Sequence, residues 1–540
     1  MNSKFKVLLI FLLFFGAFAV RMYKIELMEF KYDEAFIFEQ AHNIKNGLDY
    51  PLKGIKSSKE ISNSPLVSYL LSIPLFIEDS PEMCVLFVVL LNAVSIIILY
   101  FALKNSYDNF YINFVCCLFI AFLPAHIAFS RKIWLQSNLS FFVSLFIFFM
   151  IKAFKEKKAL YIFMVPLIYS ALIQVHLSAA FIFPVFLFFL FKLRSIFKII
   201  AAIIIFFAGL TLFIFILENE KLILLDFLIN TETNIRPSFT IYLNHLLDLI
   251  KSYDYSFNSS IIFSDYLMII TSCFILIFSG IAFLYSILNF KTNESKIVIF
   301  FAAGIILYYV FKINSFHHYY IIYIPVVALM LQKMLIFFDK TKYKFTLHFI
   351  CAFIILYSIF NIKSIYKFNQ SLEKSGGSED YGICYKFKKD VVKEIISKYK
   401  KNGIQFYISD GINYHSTLAY EFHTLFSLYK YNFKISYDSP GADNSSLIIS
   451  PISTKNPIFP LICEIGKILY SNAGYHIIYI NNIIPLPNDR IRKIYSTLNN
   501  ISNINIIYSM VKQQEAICRI RKLSAQAAYY SKLARQIKPF

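Results

Sequence analysis

The sequence predicts an all-α, multi-pass membrane protein with about eleven transmembrane helices, followed by a small α/β soluble domain on the outer side. The first observation is compositional. Of the 540 residues, 58% are hydrophobic and only 16% are charged, whereas soluble domains carry about 25% charged residues. The second is that several long segments, such as Val85 to Leu103, contain almost no charge. About 20 apolar residues in a helix span the core of a bilayer.

Each apolar segment predicts one helix. The spans are expected near residues 7–22, 85–103, 109–128, 138–153, 159–175, 179–191, 197–217, 263–288, 296–311, 319–337 and 345–361. The first segment also resembles a cleavable signal, because Lys4 and Lys6 precede its apolar core and Ala17-Phe18-Ala19 follows. Since many further spans follow it, we expect this segment to be retained as the first helix.

The run SPLVSYLLSIPLFI, Ser64 to Ile77, is too short to cross a bilayer and contains Pro65 and Pro74. We expect an interfacial or re-entrant helix here. Charge supports this choice, because the predicted inside loops then collect Lys104, Lys152, Lys155, Lys157, Lys158, Lys192, Arg194, Lys198, Lys291, Lys296, Lys340, Lys342 and Lys344. The short outside connections hold only Arg131, Lys132 and Lys312. Counting the run as a span would reverse every later loop and violate the positive-inside rule.

The net charge of +20 is therefore interpreted as a determinant of topology, and no nucleic-acid partner is expected. The predicted domains are a transmembrane domain over residues 1–362, an extracytoplasmic α/β domain over 363–515 and a basic C-terminal tail over 516–540. The transmembrane domain has a first outer loop near 23–84 and a second near 218–262. Cys384, Cys463 and Cys518 follow the last span, and their spacing does not support a disulfide.

Polar residues collect on the predicted outside face. Asp33 and Glu34 in the first outer loop are either a solvated pair or functional carboxylates. Adjacent carboxylates do not face each other on a helix, so they do not form a dyad that shares a proton. One of them could act as a general base towards a hydroxyl, or could hold a divalent cation.

The turn SRKIWLQS places Arg131 and Lys132 beside the only tryptophan, Trp134. Basic and aromatic residues at the end of a span either anchor it at the membrane surface or capture a lipid phosphate. The turn QVHLS adds Gln174 and His176, where capping or packing is the alternative to function.

The turn FKINSFHHYY is richer in polar side chains, with Lys312, His317, His318, Tyr319 and Tyr320. An aromatic belt is one interpretation of it. An anion site at the start of the next helix is the other, because the free backbone N–H groups there point the same way. The two histidines lack HExxH spacing, so they do not form a zinc motif. Together, these turns predict chemistry on a lipid phosphate.

Five of these segments resemble the GT-C membrane glycosyltransferases, most closely the branch of the protein mannosyltransferases and the lipid A aminoarabinose transferase. They are YDEAF, NSPLVSYLL, FSRKIWLQSNLSFF, QVHLSAAFIFP and HHYYIIYIPVVALM, in the order of that family and within residues 1–340. The chain departs from the pattern in two places. It has only Pro65 where the family often has two prolines, and Gln136 where the family often has an acidic residue.

The resemblance implies transfer of a sugar from a polyprenyl-phosphate donor to a lipid, glycan or protein acceptor at the outer face of the bacterial inner membrane. Asp33, with Glu34 beside it, would be the catalytic base. The residues implied to bind the donor phosphate are Arg131, Lys132, Lys312, His317 and His318, and those implied to line the substrate pocket are Gln136, Gln174, His176 and Tyr320. No cofactor is expected, with a divalent cation as the alternative.

Two other classes compete with this interpretation. A transporter or flippase would place ionisable groups at mid-span and break paired helices, whereas here the polar groups collect at one end of nearly charge-free spans. An O-antigen polymerase or ligase is also polytopic with large outside loops, and the identity of the lipid-linked donor would distinguish it.

Overall fold

The computed structural model describes residues 2–57, 61–218, 240–242, 244, 277, 280–311, 317–341, 344–378, 381–398, 405–408, 415–429, 446–451 and 467–480. Several predicted features lie outside these residues: Lys312, Cys463, Cys518, the tail 516–540, and most of the loop 218–262 and of the span 263–288. The chain divides into two compact units. The first comprises Met1–Met28 and Phe36–Ser371 together with Tyr381, and the second comprises Glu29–Ala35, Leu372–Ser378 and the described residues after Ser378 other than Tyr381.

The first part of the chain is helical. The helices with both ends among the described residues are α1 (Ser3–Met22), α2 (Tyr32–Lys45), α3 (Leu66–Leu75), α4 (Pro81–Ser106), α5 (Phe110–Ala121), α6 (Pro124–Phe129), α7 (Leu139–Glu156), α8 (Ala159–Val175), α9 (Phe183–Lys192), α10 (Ile196–Glu218), α11 (Asn293–Val310), α12 (Ile324–Lys340) and α13 (Lys344–Ser375). Short 3-10 turns precede several of them, at Ile25–Leu27, Gln136–Asn138, Leu177–Ile182 and His317–Tyr323.

Among the residues that the structure describes, six helical segments are long and apolar enough to cross a membrane, which makes the chain a multi-pass membrane protein. They are Ser3–Met22, Pro81–Ser106, Gln136–Glu156, Asn293–Val310, His318–Lys340 and Phe345–Ser375. Shorter apolar helices at Leu66–Leu75, Phe110–Ala121, Ala159–Val175, Leu177–Lys192 and Ile196–Thr211 lie between them. The total of eleven spans stays a prediction.

Local sequence explains where these helices begin and break. The side chain of Ser80 caps α4 by accepting a hydrogen bond from the Met83 N–H at 3.2 Å, and Pro81 occupies the first helical position. The region predicted as one span over 109–128 is divided instead. Helix α5 ends at Ala121, and Pro124 opens the short α6, because proline fits the first turn of a helix but not its interior. The break leads the chain into the basic turn at Arg131.

The last long helix, α13, runs to Ser375 and so passes residue 362, where the sequence places a domain boundary. It is followed by two short antiparallel strands, β1 (Gly377–Ser378) and β2 (Gly382–Ile383). Beyond them lie α14 (Tyr385–Lys398), α15 (His415–Leu428) and the strands β3 (Gln405–Ile408), β4 (Ser446–Pro451), β5 (Lys467–Ser471) and β6 (Tyr475–Ile480).

The four longer strands form one sheet in the order β3-β4-β6-β5, in which β3 and β4 are parallel and the other pairs are antiparallel. Ile449 of β4 lies opposite Ile477 of β6, and both side chains are fully buried. Helix α14 packs against β6 and buries Val391, Val392 and Ile395. Apolar burial of this kind is the main stabilising term of a folded unit. That this unit is a soluble domain on the outer side stays a prediction.

Candidate active site

The basic turn predicted from SRKIWLQS lies in the first unit and is buried. Arg131 is only 4% exposed. One of its terminal nitrogens, Nη1, donates to Asn369 Oδ1 at 3.0 Å, and the other, Nη2, donates to the backbone oxygen of Lys24 at 2.8 Å. These two bonds fix the plane of the guanidinium group. A fixed fork of donors is suited to binding an anion with two oxygen atoms in a set geometry.

Lys132 is the second buried cation of the turn, at 1% exposure. Its Nζ lies 4.7 Å from the ring centroid of Trp134, 5.2 Å from that of Phe129 and 6.0 Å from that of Tyr381. An ammonium group over an aromatic face is attracted by the negative charge density of the ring. The three rings therefore hold a positive charge in a place from which water is largely excluded.

Aromatic contacts continue from Trp134 to the histidine turn. The ring of Trp134 lies 5.0 Å from the imidazole of His318, which lies 4.7 Å from the ring of Tyr319. Tyr319 in turn lies 5.3 Å from the imidazole of His176. Four residues from three separate turns thus form a continuous row, and two of them, His176 and His318, are functional candidates from the sequence. We call this row, with Lys132, the basic-aromatic cluster.

His176 ends the row beside Gln136. The backbone N–H of Ser178 donates to His176 Nδ1 at 3.2 Å, so the imidazole proton lies on Nε2. The Nε2 atom lies 3.0 Å from the amide nitrogen of Gln136, and with this amide group flipped its oxygen accepts that proton. Burial lowers the pKa of His176 from its ordinary value of 6.5 to about 4. At neutral pH this side chain is a neutral hydrogen-bonding group.

The pKa of His176 predicts a pH dependence of stability. Between pH 6.5 and about 4, the unfolded chain binds a proton at this position that the folded protein does not. Stability must therefore fall as the pH is lowered through this window. We expect the Tm of the detergent-solubilised protein to fall more steeply from about pH 7 to about pH 4 than that of His176→Gln. Equal losses of Tm in the two proteins would contradict a buried neutral imidazole.

Two other predicted pocket residues, Gln174 and Tyr320, have contacts outside the basic-aromatic cluster. Gln174 accepts from the Ser64 hydroxyl at 3.3 Å and donates to the Gly209 backbone oxygen at 2.8 Å, and so it links α8 to α10. Tyr320 is fully buried, with its ring 5.8 Å from those of Tyr308 and Tyr323. The side chain of His317 and all of Lys312 lie outside the described residues.

The structure adds a buried network that the sequence reasoning missed. Arg21, fully buried, donates through Nη1 to the Ala121 backbone oxygen at 2.8 Å, and its Nη2 lies 3.1 Å from His126 Nδ1. His126 Nε2 lies 3.2 Å from Asn92 Oδ1. Asn92 then donates to the Ser137 backbone oxygen at 2.9 Å. The network joins α1, α4 and α6 to the 3-10 turn that carries Gln136. In the sequence, this network could have been recognised from isolated polar residues within apolar segments.

The acidic pair belongs to the second unit, within Glu29–Ala35. It occupies the first turn of α2, which begins at Tyr32. The carboxylate of Glu34, 1% exposed, accepts a hydrogen bond from the Lys31 backbone N–H at 2.9 Å and so caps its own helix. Asp33 is partly exposed. Sequence alone does not distinguish the buried capping position of Glu34 from the partly exposed position of Asp33.

Within the part of the chain that the structure describes, no group of three or more His, Cys, Asp or Glu residues is arranged to hold a metal ion. Cys384 is buried.

No protein-family model matches the sequence, and no curated protein matches it. The solved structures that are similar to the chain include two of ArnT. The first is ArnT from Cupriavidus metallidurans bound to undecaprenyl phosphate, at 9% identity and a TM-score of 0.55, over 88% of this chain and 98% of that chain. The second is the same protein in its apo state, at 10% identity and a TM-score of 0.49, over 86% and 97%. The predicted likeness to the lipid A aminoarabinose transferase type of GT-C glycosyltransferase is confirmed as a likeness of fold.

Proposed function

We propose that this protein is an integral membrane glycosyltransferase that moves a sugar from a polyprenyl-phosphate carrier to a lipid, glycan or protein acceptor on the outer face of the membrane. The observation that carries the proposal is the buried pair Arg131 and Lys132, of which Lys132 lies with His318 in the basic-aromatic cluster. The fold shared with ArnT, whose solved structure holds undecaprenyl phosphate, supports it.

In this proposal the cations bind the donor phosphate. When the bond between the anomeric carbon and the phosphate oxygen breaks, the electron pair leaves with the phosphate, which gains negative charge. Donors that are already oriented stabilise such charge most in the transition state. Arg131 is held by Asn369 and Lys24, and Lys132 by its three rings, so neither has to reorganise. Lys312, His317 and His318 are proposed as further phosphate ligands.

Asp33 is proposed as the base. Its carboxylate would take the proton of the acceptor hydroxyl while the hydroxyl oxygen attacks the anomeric carbon. Glu34 supports this role by capping the helix that carries Asp33. For the sugar we propose Gln136 and His176, whose neutral amide and imidazole can exchange hydrogen bonds with hydroxyl groups. Gln174 and Tyr320 would shape the surrounding pocket.

The finer architecture belongs to the same proposal: eleven spans in the bacterial inner membrane, an extracytoplasmic α/β domain after them and a basic tail. The fold likeness does not favour a transporter, a flippase, or an O-antigen polymerase or ligase.

The chain carries its own reporter for a donor test. Trp134 is the only tryptophan among 540 residues, and its ring lies beside Lys132 and His318. We expect undecaprenyl phosphate to change the tryptophan fluorescence of the purified protein saturably, and undecaprenol, which lacks the phosphate, to change it little. His318→Ala should weaken the response roughly tenfold, as for a lost charge-assisted hydrogen bond.

A matched control is Lys158→Met, which removes an exposed lysine on the loop before α8. Its response should equal that of the unsubstituted protein. Equal responses to undecaprenol and undecaprenyl phosphate would mean that the cluster senses the lipid chain alone, and would contradict a phosphate site.

A further inference from the structure

The segment that carries the acidic pair is held by the C-terminal part of the chain. Residues Glu29–Ala35, which include the first turn of α2, group with the second unit, whereas α1 and the rest of α2 belong to the first unit. Phe30 is fully buried, with its ring 5.3 Å from that of Tyr385 on α14. The ring of Tyr32 lies 5.0 Å from that of Tyr420 on α15. Two helices of the second unit thus pack on the two residues that flank Lys31.

A buried ion pair lies under the same segment. Lys388 of α14 is 2% exposed and is paired with Glu421 of α15, which is 5% exposed. The Nζ of Lys388 also donates to the backbone oxygen of Phe30. Glu29, itself 1% exposed, is paired with Lys31. The cation of α14 therefore bridges the carboxylate of α15 and the backbone that leads into α2.

Lys31 has contacts on both sides. Gly382 has a φ of +72°, and a Cβ placed on it would lie 2.9 Å from Cε of Lys31. On the other side, Glu34 caps the helix at Lys31 N–H, and the Ala35 N–H donates to the Lys31 backbone oxygen at 2.9 Å. The carbonyl that Lys388 holds thus lies two residues before the start of the turn that carries Asp33.

Burial of two charges costs free energy that their attraction only partly returns, so such a pair contributes little to net stability. Removal of one partner, in contrast, leaves an uncompensated buried charge. Burial raises the pKa of Glu421, and the ammonium of Lys388 opposes this shift. A pair of this kind is better explained by the geometry that it fixes than by the stability that it adds.

We propose that Lys388 and Glu421 are positioning residues for Asp33: the C-terminal unit fixes the start of helix α2 through the Phe30 carbonyl and thereby sets the direction of the Asp33 carboxylate. This inference rests on the proposed role of Asp33 as the base. It gives the C-terminal unit a part in the transfer reaction.

The test compares Lys388→Met with Lys388→Arg in the full-length protein. Methionine fills the space of the lysine stem but neither donates to Phe30 nor pairs with Glu421. We expect kcat for sugar transfer to fall about tenfold or more, as for a misplaced catalytic group. The donor response of Trp134 should change less than about twofold, because that site lacks these residues. Lys388→Arg, which keeps charge and donors, should recover most of the loss.

The matched control is Lys398→Met, on the same helix, whose lysine is exposed and pairs with Glu394 at 2.7 Å. It should leave kcat unchanged. Glu421→Gln is the second variant if Lys388→Met does not fold. It keeps an acceptor for the Lys388 ammonium, and we expect an intermediate loss of kcat.

Hydrogen exchange gives a readout that does not depend on turnover. Amides of the first turn of α2, including that of Ala35, should lose protection in Lys388→Met and keep it in Lys398→Met. Unchanged exchange and unchanged kcat in Lys388→Met would overturn the positioning role. The two proposals can also fail separately. If Lys388→Met loses protection in α2 but the unsubstituted protein transfers no sugar, the positioning role stands and the proposed function is refuted.

Discussion

Replacement of Asp33 by Asn is expected to lower sugar transfer by at least ~10²-fold, the range of a general-base contribution. Asparagine has the shape of aspartate but cannot take the proton of an acceptor hydroxyl. The side chain lies in the first turn of α2 and is partly exposed, so the amide should be accommodated there without loss of fold. Turnover of a polyprenyl-phosphate sugar by the purified variant measures the effect, with expression and donor binding expected to change little.

The matched control for this substitution is its neighbour. Glu34→Gln removes a carboxylate from the same turn but keeps an oxygen that can accept from the Lys31 N–H at the cap. We expect a mild loss of activity. Near-full turnover by Asp33→Asn, or a larger loss in Glu34→Gln than in Asp33→Asn, would show that Asp33 is not the base.

Lys132→Met is expected to weaken donor binding roughly 10- to 150-fold, which corresponds to loss of a charge-assisted hydrogen bond of about 1.5–3 kcal/mol. Methionine fits among the rings of Phe129, Trp134 and Tyr381, and it removes only the charge that they surround. The fall should appear in kcat/KM for the donor, while KM for the acceptor changes little.

Lys132→Arg keeps the charge and should retain part of the donor affinity, although its planar group is larger than the site of an ammonium. An outcome in which Lys132→Met lowers Tm and leaves the donor parameters unchanged would make the cluster an aromatic anchor of the membrane surface. The donor phosphate would then have to be bound by Arg131 without Lys132.

The helices of the first unit were predictable because apolar length alone determines whether a segment can cross a bilayer. The predicted span 7–22 lies within α1, which is long enough to cross a membrane, and the predicted span 159–175 forms the shorter apolar helix α8. The interruption after α5 could also have been predicted, since Pro124 stands inside the expected span 109–128. The extension of α13 to Ser375 could not, because its last turns are polar and no bilayer length limits them.

The sequence could predict which turns carry the site residues, but it could not predict which of these turns lie close together. The proximity of Trp134 to His318, and of His176 to Tyr319, depends on packing between segments that are distant in sequence. Gln174 and His176 are two residues apart, and their hydrogen bonds go to different elements. The sequence alone assigned both residues to the substrate pocket.

The contact that holds the acidic segment could not be predicted from the sequence. The bond between Lys388 and the Phe30 carbonyl joins residues 358 apart in the chain. No local periodicity or motif marks such a contact. The sequence therefore predicted the C-terminal unit as a separate domain and assigned no role to it.

The most direct test of the proposed function is transfer of a radiolabelled sugar by the purified protein in detergent or liposomes. It compares two donors, a polyprenyl-phosphate monosaccharide and a polyprenyl-diphosphate oligosaccharide, with membrane lipids and glycans of the source cell as acceptors. We predict that the monosaccharide donor is consumed with release of polyprenyl phosphate, and that Asp33→Asn abolishes this. Consumption of the diphosphate donor alone, or movement of either lipid across the liposome membrane without loss of its sugar, would contradict it.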